Sequence, residues 1–447
     1  MKISKFGGSS VSDAQQIKKI LKIVNDDPNR KVIIVSAPGK RNENDIKVTD
    51  LLIQIYHAVI SGADYSSQIE AVVKRFEDIE QELNVKQSLS NEIRHELTRL
   101  ISSLHSRPLY LLDALKSCGE NFNAKLIAQY NNEQGIPTRY MSPREIGLTV
   151  SDEPGNAMIL PESYHRIRER LSGYQEKIVV PGFFGVSSTQ DIITFSRGGS
   201  DLTGAIIAKA LHAELYENFT DVSGIYSANP NIIHEPRKID ELTYDEMREL
   251  SYAGFKVFHD EAVAPLINTA IPVVIKNTNE PDAAGTRIVS THALTGVVGV
   301  SCDTGFTSIN MKKYLMNREI GFTRKLLTIL EEMQISYDHM PSGIDNISIV
   351  LRSHQLSGKL TTLISRIQHE LSVDEISVEE NLAILMIVGE GMKTAIGTAN
   401  KATSSLSSHQ VNLKMINQGS SEISMMFGID AGQAETAVRA VYQAFFQ

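Results

Sequence analysis

The stretch 181–211, PGFFGVSSTQDIITFSRGGSDLTGAIIAKAL, decides how the rest of the chain is read. An apolar run ending at Phe195 enters Ser196-Arg197-Gly198-Gly199-Ser200-Asp201, and a helix apolar on most sides follows at once. A helix of that kind is a buried one. Glycines let a backbone approach a ligand closely, the planar guanidinium of Arg197 suits a carboxylate, and Ser200 or Asp201 can cap the helix. An Asp-capped turn beside a surface arginine is the plainer reading. It does not explain why all these features coincide between buried elements, so the spacing marks a binding loop.

Working outward, β-branched runs recur at 32–37 (VIIVSA), 177–183 (KIVVPGF), 214–220 (ELYENFT) and 271–278 (IPVVIKNT). Helical patterns lie between them, including 12–24, 50–60 and 202–211. Continuous apolar runs bounded by Gly or Pro suit strands buried on both faces. The alternation predicts an α/β sandwich with a mainly parallel sheet, whose ligands sit at the carboxyl ends of strands. Residues 64–104 read as an inserted, polar helical hairpin.

The texture changes after about residue 290. TSINMKKYLM precedes a helix with Phe322, Leu326, Ile329, Leu330 and Met333 on one face. ISYDHM, a Pro-Ser-Gly turn, NISIVL and a helix over Leu360–Leu371 follow. The order then repeats with LAILMIVG, a weak helix at 393–408, VNLKMIN, EISMMFGI and a helix from Ala434 to Phe445. This is βαββα twice, a ferredoxin-like pattern. The second copy lacks a closing strand, which the first copy or a partner chain would supply.

Composition narrows the function. A chain of 447 residues, 42% hydrophobic, is globular and holds two or three domains. A net charge of -9 disfavours nucleic acid and anionic membranes as partners. Cys118 and Cys302 are far apart and form no CxxC pair, which fits a reducing cytoplasm. No apolar run approaches the ~18 residues of a membrane span, and MKISKF has no signal-peptide pattern. There is no GxxxxGK[ST], HExxH, GxSxG or kinase HRD…DFG set, and no residue stands out as a metal ligand.

The N-terminal MKISKFGGSS admits two readings. One is a hairpin turn, since Gly-Gly permits positive φ. The other is an anion nest, with glycine N–H groups freed, Ser9 and Ser10 capping a helix, and Lys5 supplying charge. In FTDVSGIYSANP (219–230), Thr220 and Asp221 follow a strand, and Gly224, Tyr226 and Pro230 shape a loop able to cover a base or ribose. LKSCGENFNAKLIAQY (115–130) carries Glu120 early in a helix, where the dipole favours an acid. Lys256 in YAGFKVFHDEAV sits among apolar residues on an expected helix and is equally readable as a snorkelling lysine.

Taken in order, KFGGSSV, SRGGSD, TDVSGIYSANP, GFKVFH and KNTNEPDAAGT resemble the motifs of aspartokinases, and INQGSSEISMMF resembles a marker in their second ACT unit. The resemblance covers nearly the whole chain. It implies an amino acid kinase domain at 1–290 and ACT units at 305–380 and 381–447. It places Lys5 at the transferring phosphoryl group of ATP, with Gly7, Gly8 and Ser9 at the phosphates. Arg197 matches the carboxylate ligand of aspartate, with Ser200 nearby. Glu120 matches a ligand near the substrate amino group, Thr49 a further substrate contact, and Asp201 an organiser of the catalytic lysine. Thr220, Asp221, Tyr226 and Lys256 match the nucleotide side. Mg²⁺ would accompany ATP. Departures are Ser9 for Thr, Ser196 for Gly, Asn229 for Asp, and HDE (259–261) for a His-Pro pair.

The same resemblance implies feedback by lysine or threonine, bound between ACT units of two subunits in a homodimer or larger assembly. Met316, Gly321, Phe322, Asp338, Ser342 and Gly343 match that pocket, and Asp338 favours lysine. Two alternatives remain at this level: a kinase with another carboxylate acceptor, and a sensor that has lost turnover.

Overall fold

The computed structural model describes residues 1–447 other than Arg197, Lys256, Leu294 and Thr295. The chain divides into two compact units. The first comprises Met1–Ile225, Lys238–Ser251 and Lys256–His292, and the second Tyr226–Arg237, Tyr252–Phe255 and Ala293–Gln447.

The first unit is an α/β sandwich. Its elements include β1 (Lys2–Phe6), α1 (Ala14–Asp26), β2 (Arg30–Val35), α2 (Val48–Ser61), α3 (Ser66–Leu83), α4 (Ser90–Leu104), α5 (Pro108–Glu133), β3 (Thr138–Tyr140) and β4 (Lys177–Pro181). They continue with α6 (Gly199–Ala210), β5 (Leu215–Thr220), β6 (Glu241–Thr243), β7 (Val273–Asn277) and β8 (Thr286–Val289). The eight-stranded sheet runs β6-β8-β7-β5-β1-β2-β4-β3. Neighbours from β7 to β3 are parallel, and only the β7–β8 pairing is antiparallel. Val32 to Val35 are all buried, as a strand covered on both faces requires. The polar stretch at 64–104 folds as α3 and α4, whose apolar stripes (Ile69, Val72, Phe76; Ile93, Leu97, Ile101) pack into one core with α2 and α5.

In the second unit, one antiparallel sheet serves both ferredoxin-like copies. Its strands are β9 (Gly299–Lys312), β10 (Asn346–Arg352), β11 (Glu375–Val388), β12 (Met415–Gln418) and β13 (Ser424–Asp430), in the order β10-β9-β11-β13-β12. The helices are α7 (Phe322–Glu332), α8 (Leu360–Leu371), α9 (Thr398–Ser408) and α10 (Ala434–Phe446). β9 and β11 are long because each belongs to both copies. Phe306–Lys312 pairs with β10, and Ser308–Lys312 with Glu375–Glu379, whereas Gly299–Thr304 pairs with Ala383–Val388 beside β13. The strand missing from the second copy is thus the first half of β9. Two cores result, one around Leu326, Ile329, Leu363 and Ile367, the other around Leu385, Phe427, Val438 and Val441. Ala228 and Ile233 join the latter, which explains why Tyr226–Arg237 belongs to this unit.

Several local expectations are corrected. ISYDHM forms no ladder strand; it meets β10 through a bridge from His339 to Val350 and the Asp338 N–H donating to Val350 O. Ser9 and Ser10 lie in a 3-10 turn (Ser9–Val11), and the cap of α1 is Asp13, which accepts from the Gln16 N–H at 2.9 Å. Neither Ser200 nor Asp201 caps α6; its N-cap is Gly198, at φ 60°. Gly8 is right-handed, at φ -57°, so KFGG is not a positive-φ hairpin. Asp13→Ala should lower stability by about 1 kcal/mol in denaturant unfolding, with an unchanged m value.

Candidate active site

The sheet brings its chemistry to the carboxyl ends of β1, β2, β4 and β5. Lys5 is the fourth residue of β1 and lies opposite Asn218 of β5 in parallel register. Its Nζ is 2.5 Å from Asp201 Oδ1 and 3.5 Å from Asn218 Oδ1. Asn218 Nδ2 donates to Asp201 Oδ1 at 2.8 Å, closing a buried triangle. Asp201 sits in the first turn of α6, where the macrodipole also favours an anion. Its backbone carbonyl accepts from the Tyr216 hydroxyl at 3.0 Å.

Gly7 and Gly8 follow directly. The Gly7 N–H is committed, donating to Phe219 O at 3.0 Å, so the nest lacks that donor. A Cβ on Gly7 would lie 3.3 Å from Lys5 Nζ, and one on Gly8 would lie 3.2 Å from Ala37 O. The second glycine serves close approach: Gly39 N–H donates to Gly8 O at 2.9 Å, and a Cβ on Gly39 would be 2.7 Å from that carbonyl.

The segment Ser36–Gly39 links this turn to Glu120. Asn123 Nδ2 donates to Ser36 O at 2.7 Å, and a Cβ on Gly119 would meet the Ala37 Cβ at 2.7 Å. Glu120 lies in the middle of the 26-residue α5, not early in a helix, so the helix dipole does not explain it. It is 6% exposed, its Oε2 has no hydrogen-bond partner among the described residues, and burial pushes its carboxyl up to about 8. The Ala37 N–H bonded to the carboxylate opposes that shift only partly.

Ser200 is buried against Gly182, where a Cβ would be 2.7 Å from Ser200 Oγ. Thr49 is half-buried in the first turn of α2. Thr220 ends β5, its hydroxyl 3.1 Å from the exposed Asp221. Ser9 follows Gly8 in the 3-10 turn. Tyr226 is grouped with the second unit, while Arg197 and Lys256 lie outside the described residues. Asn218 and the Ser36–Gly39 segment escaped the sequence reading. The signal for Asn218 was an amide beside Glu217 inside a strand otherwise read as buried. Among the described residues, no three His, Cys, Asp or Glu side chains gather into a metal cage.

In the second unit, Met316, Gly321 and Phe322 enter α7, with Lys313 Nζ 5.5 Å from the Phe322 ring centre. Asp338 is occupied: its Oδ1 accepts from the Tyr252 hydroxyl at 2.6 Å and lies 3.6 Å from Arg352 Nε. Ser342 bridges to Ile347, and the Gly343 N–H donates to Asn346 O at 2.8 Å.

The raised carboxyl of Glu120 carries a stability consequence. Between about pH 4.5 and 8 the unfolded chain has lost this proton while the folded chain keeps it, so the residue costs stability increasingly as pH rises. Glu120→Gln should therefore be stabilising relative to the parent at pH 8 and much less so at pH 5. The difference is on the order of a few kcal/mol by denaturant unfolding at the two pH values.

Comparison with known proteins supplies the family. The amino acid kinase family model matches residues 1–277 and an ACT domain model matches residues 385–445. Aspartokinase 3 of Bacillus subtilis is 51% identical, the match covering all of this chain and 99% of that one. The chloroplastic aspartokinase 1 of Arabidopsis thaliana is 30% identical over all of this chain and 80% of its own length. The crystal structure of the Clostridium acetobutylicum aspartate kinase superposes over the whole of both chains with a TM-score of 0.85 at 38% identity. The chain belongs to the aspartokinases of the amino acid kinase family.

Proposed function

We propose that the protein transfers the γ-phosphoryl group of ATP to the β-carboxylate of L-aspartate, yielding 4-phospho-L-aspartate and ADP. That product opens the route to lysine, threonine and methionine. The observation carrying this reading is a buried cation, Lys5, fixed by Asp201 and Asn218 and set beside a glycine turn, with a buried acid, Glu120, whose Oε2 has no hydrogen-bond partner among the described residues, across the Ser36–Gly39 segment.

The chemistry fits such a site. A β-carboxylate has a pKa near ~3.9 and is already ionised at neutral pH, so the nucleophile needs no general base. The obstacle is repulsion between a carboxylate and a polyphosphate. Positioning and positive charge overcome it. Lys5 meets the charge that develops on the transferring group, while Gly8 and Ser9 line the phosphates. Gly7 shapes that turn by leaving room for the lysine head. Asp201 holds the ammonium in place. Arg197 and Ser200 take the substrate α-carboxylate, Thr49 adds a contact, and Glu120 takes the α-ammonium. Thr220, Asp221, Tyr226 and Lys256 serve the nucleotide. Mg²⁺ accompanying ATP would neutralise charge on its phosphates.

The ACT region serves feedback by lysine, or threonine, within a cytoplasmic homodimer or a larger assembly. The catalytic domain spans 1–290, with ACT units over 305–380 and 381–447. A lysine effector would present its ammonium to Asp338, displacing the Tyr252 hydroxyl, with Met316, Gly321, Phe322, Ser342 and Gly343 lining the rest. Among the described residues, no helix is long and apolar enough to cross a membrane.

Incubation with Mg-ATP and L-aspartate, with hydroxylamine to trap acyl phosphate, should give aspartate-dependent hydroxamate. Hydroxamate formed only with a different acidic amino acid would replace the acceptor, and none with any would leave a sensor. Arg197→Ala should raise the aspartate KM by tenfold or more, roughly 1.4 kcal/mol or above, while nucleotide affinity stays near the parent value. Glu120 adds an independent prediction. An arriving ammonium should ionise its protonated carboxyl, so aspartate binding at pH 7 should release close to one proton, measured by calorimetry in buffers of differing ionisation enthalpy. Glu120→Gln should abolish that release.

A further inference from the structure

Arg75 of α3 is 2% exposed, yet it lies in the polar helical insertion and touches none of the groups assigned above to substrate. Its guanidinium spans three partners. Nη1 is 2.5 Å from Asp45 Oδ2, and Nη2 donates to Ser12 O at 3.0 Å and to Gly39 O at 2.5 Å. Nε has no partner among the described residues. Burying an arginine with one donor unmet is costly, and a buried ion pair is a poor source of stability. The position asks for another explanation.

The partners supply it. Ser12 closes the 3-10 turn that follows Gly7 and Gly8. Gly39 donates its own N–H to Gly8 O and packs so closely on that turn that a Cβ could not fit. A single planar fork therefore ties the chain after the glycine turn to the segment that presses on it. Asp45 anchors the fork from the far side. Arg41 also binds Asp45, at 3.0 Å, and reaches Asp78 of α3 at 3.3 Å, so the insertion holds the 39–45 segment twice.

We propose that Arg75 is a positioning residue for phosphoryl transfer: it clamps Gly39 onto Gly8 and so fixes the turn that receives the ATP phosphates. The inference rests on the assignment of that turn to phosphate. It gives the helical insertion at 64–104 a role in the reaction. A lysine cannot replace the fork, because an ammonium cannot meet two carbonyls and a carboxylate in one plane.

The test is steady-state kinetics on the full-length protein with Arg75→Ala, Arg75→Lys and Asp45→Asn, varying Mg-ATP and aspartate separately. Arg75→Ala should raise the KM for Mg-ATP about tenfold or more and leave the aspartate KM within about twofold. Arg75→Lys should resemble it, and Asp45→Asn should shift the same parameter less. Millimolar ethylguanidinium, filling the vacated space, should restore the Mg-ATP KM of Arg75→Ala without affecting the parent enzyme. If Arg75→Ala does not fold, Arg75→Lys and Asp45→Asn decide the matter. A lowered melting temperature with an unchanged Mg-ATP KM, or an equal rise in both KM values, would overturn the inference. Failure of the underlying assignment looks different: the parent protein itself would form no ATP-dependent hydroxamate.

Discussion

The contact between Lys5 and Asp201 constrains most of the first unit. Burying an ammonium without a counter-charge is costly, and Asp201 Oδ1 at 2.5 Å supplies one. Such a pair returns little stability, because desolvation offsets the attraction. Keeping it requires three elements in fixed relation: β1 for Lys5, β5 for Asn218, and the first turn of α6 for Asp201. The parallel register sets Lys5 opposite Asn218, and the Tyr216 hydroxyl pins the start of α6. The sheet thus holds one cation rigidly at the carboxyl ends of its inner strands.

Around that cation the chain makes room by omission. Gly7, Gly8, Gly39, Gly119 and Gly182 all lie where a Cβ would press on a neighbour, at 2.7 to 3.3 Å. Of these, Gly8 adopts an ordinary helical φ. Glycine is used here for close approach of backbones, which leaves N–H groups and small side chains as the surface a ligand meets. Glu120 is the complement. It is an acid whose carboxyl burial pushes up to about 8.

The sandwich was legible because its strands are continuous β-branched runs, and the ferredoxin-like pair because α7, α8 and α10 keep strict apolar stripes. Residues that act through their own motif, Lys5 and Asp201, were readable from KFGG and RGGSD. Those that act through tertiary contact were not. Asn218 matters only because of strand register, and the Ser36–Gly39 segment only because α5 and the glycine turn converge on it. The capping roles given to Ser200, Asp201, Ser9 and Ser10 failed for a related reason: a partner distant in sequence, or Asp13 nearer the true helix start, outcompeted the local hydrogen bond. The missing strand of the second copy was legible, but whether the first copy or a partner chain supplies it was not, since nothing local distinguishes one long strand serving two folds from two short ones.

The central claim is that Lys5 and Asp201 work as one unit in the transfer step. It is tested most directly by single-turnover phosphoryl transfer from saturating Mg-ATP to aspartate in Lys5→Met, Asp201→Asn and the double variant. Residues acting as a unit lose their effect together. The account predicts that the double variant is no slower than Lys5→Met alone. Losses that multiply, with the double variant slower by the product of the two single effects, would contradict it.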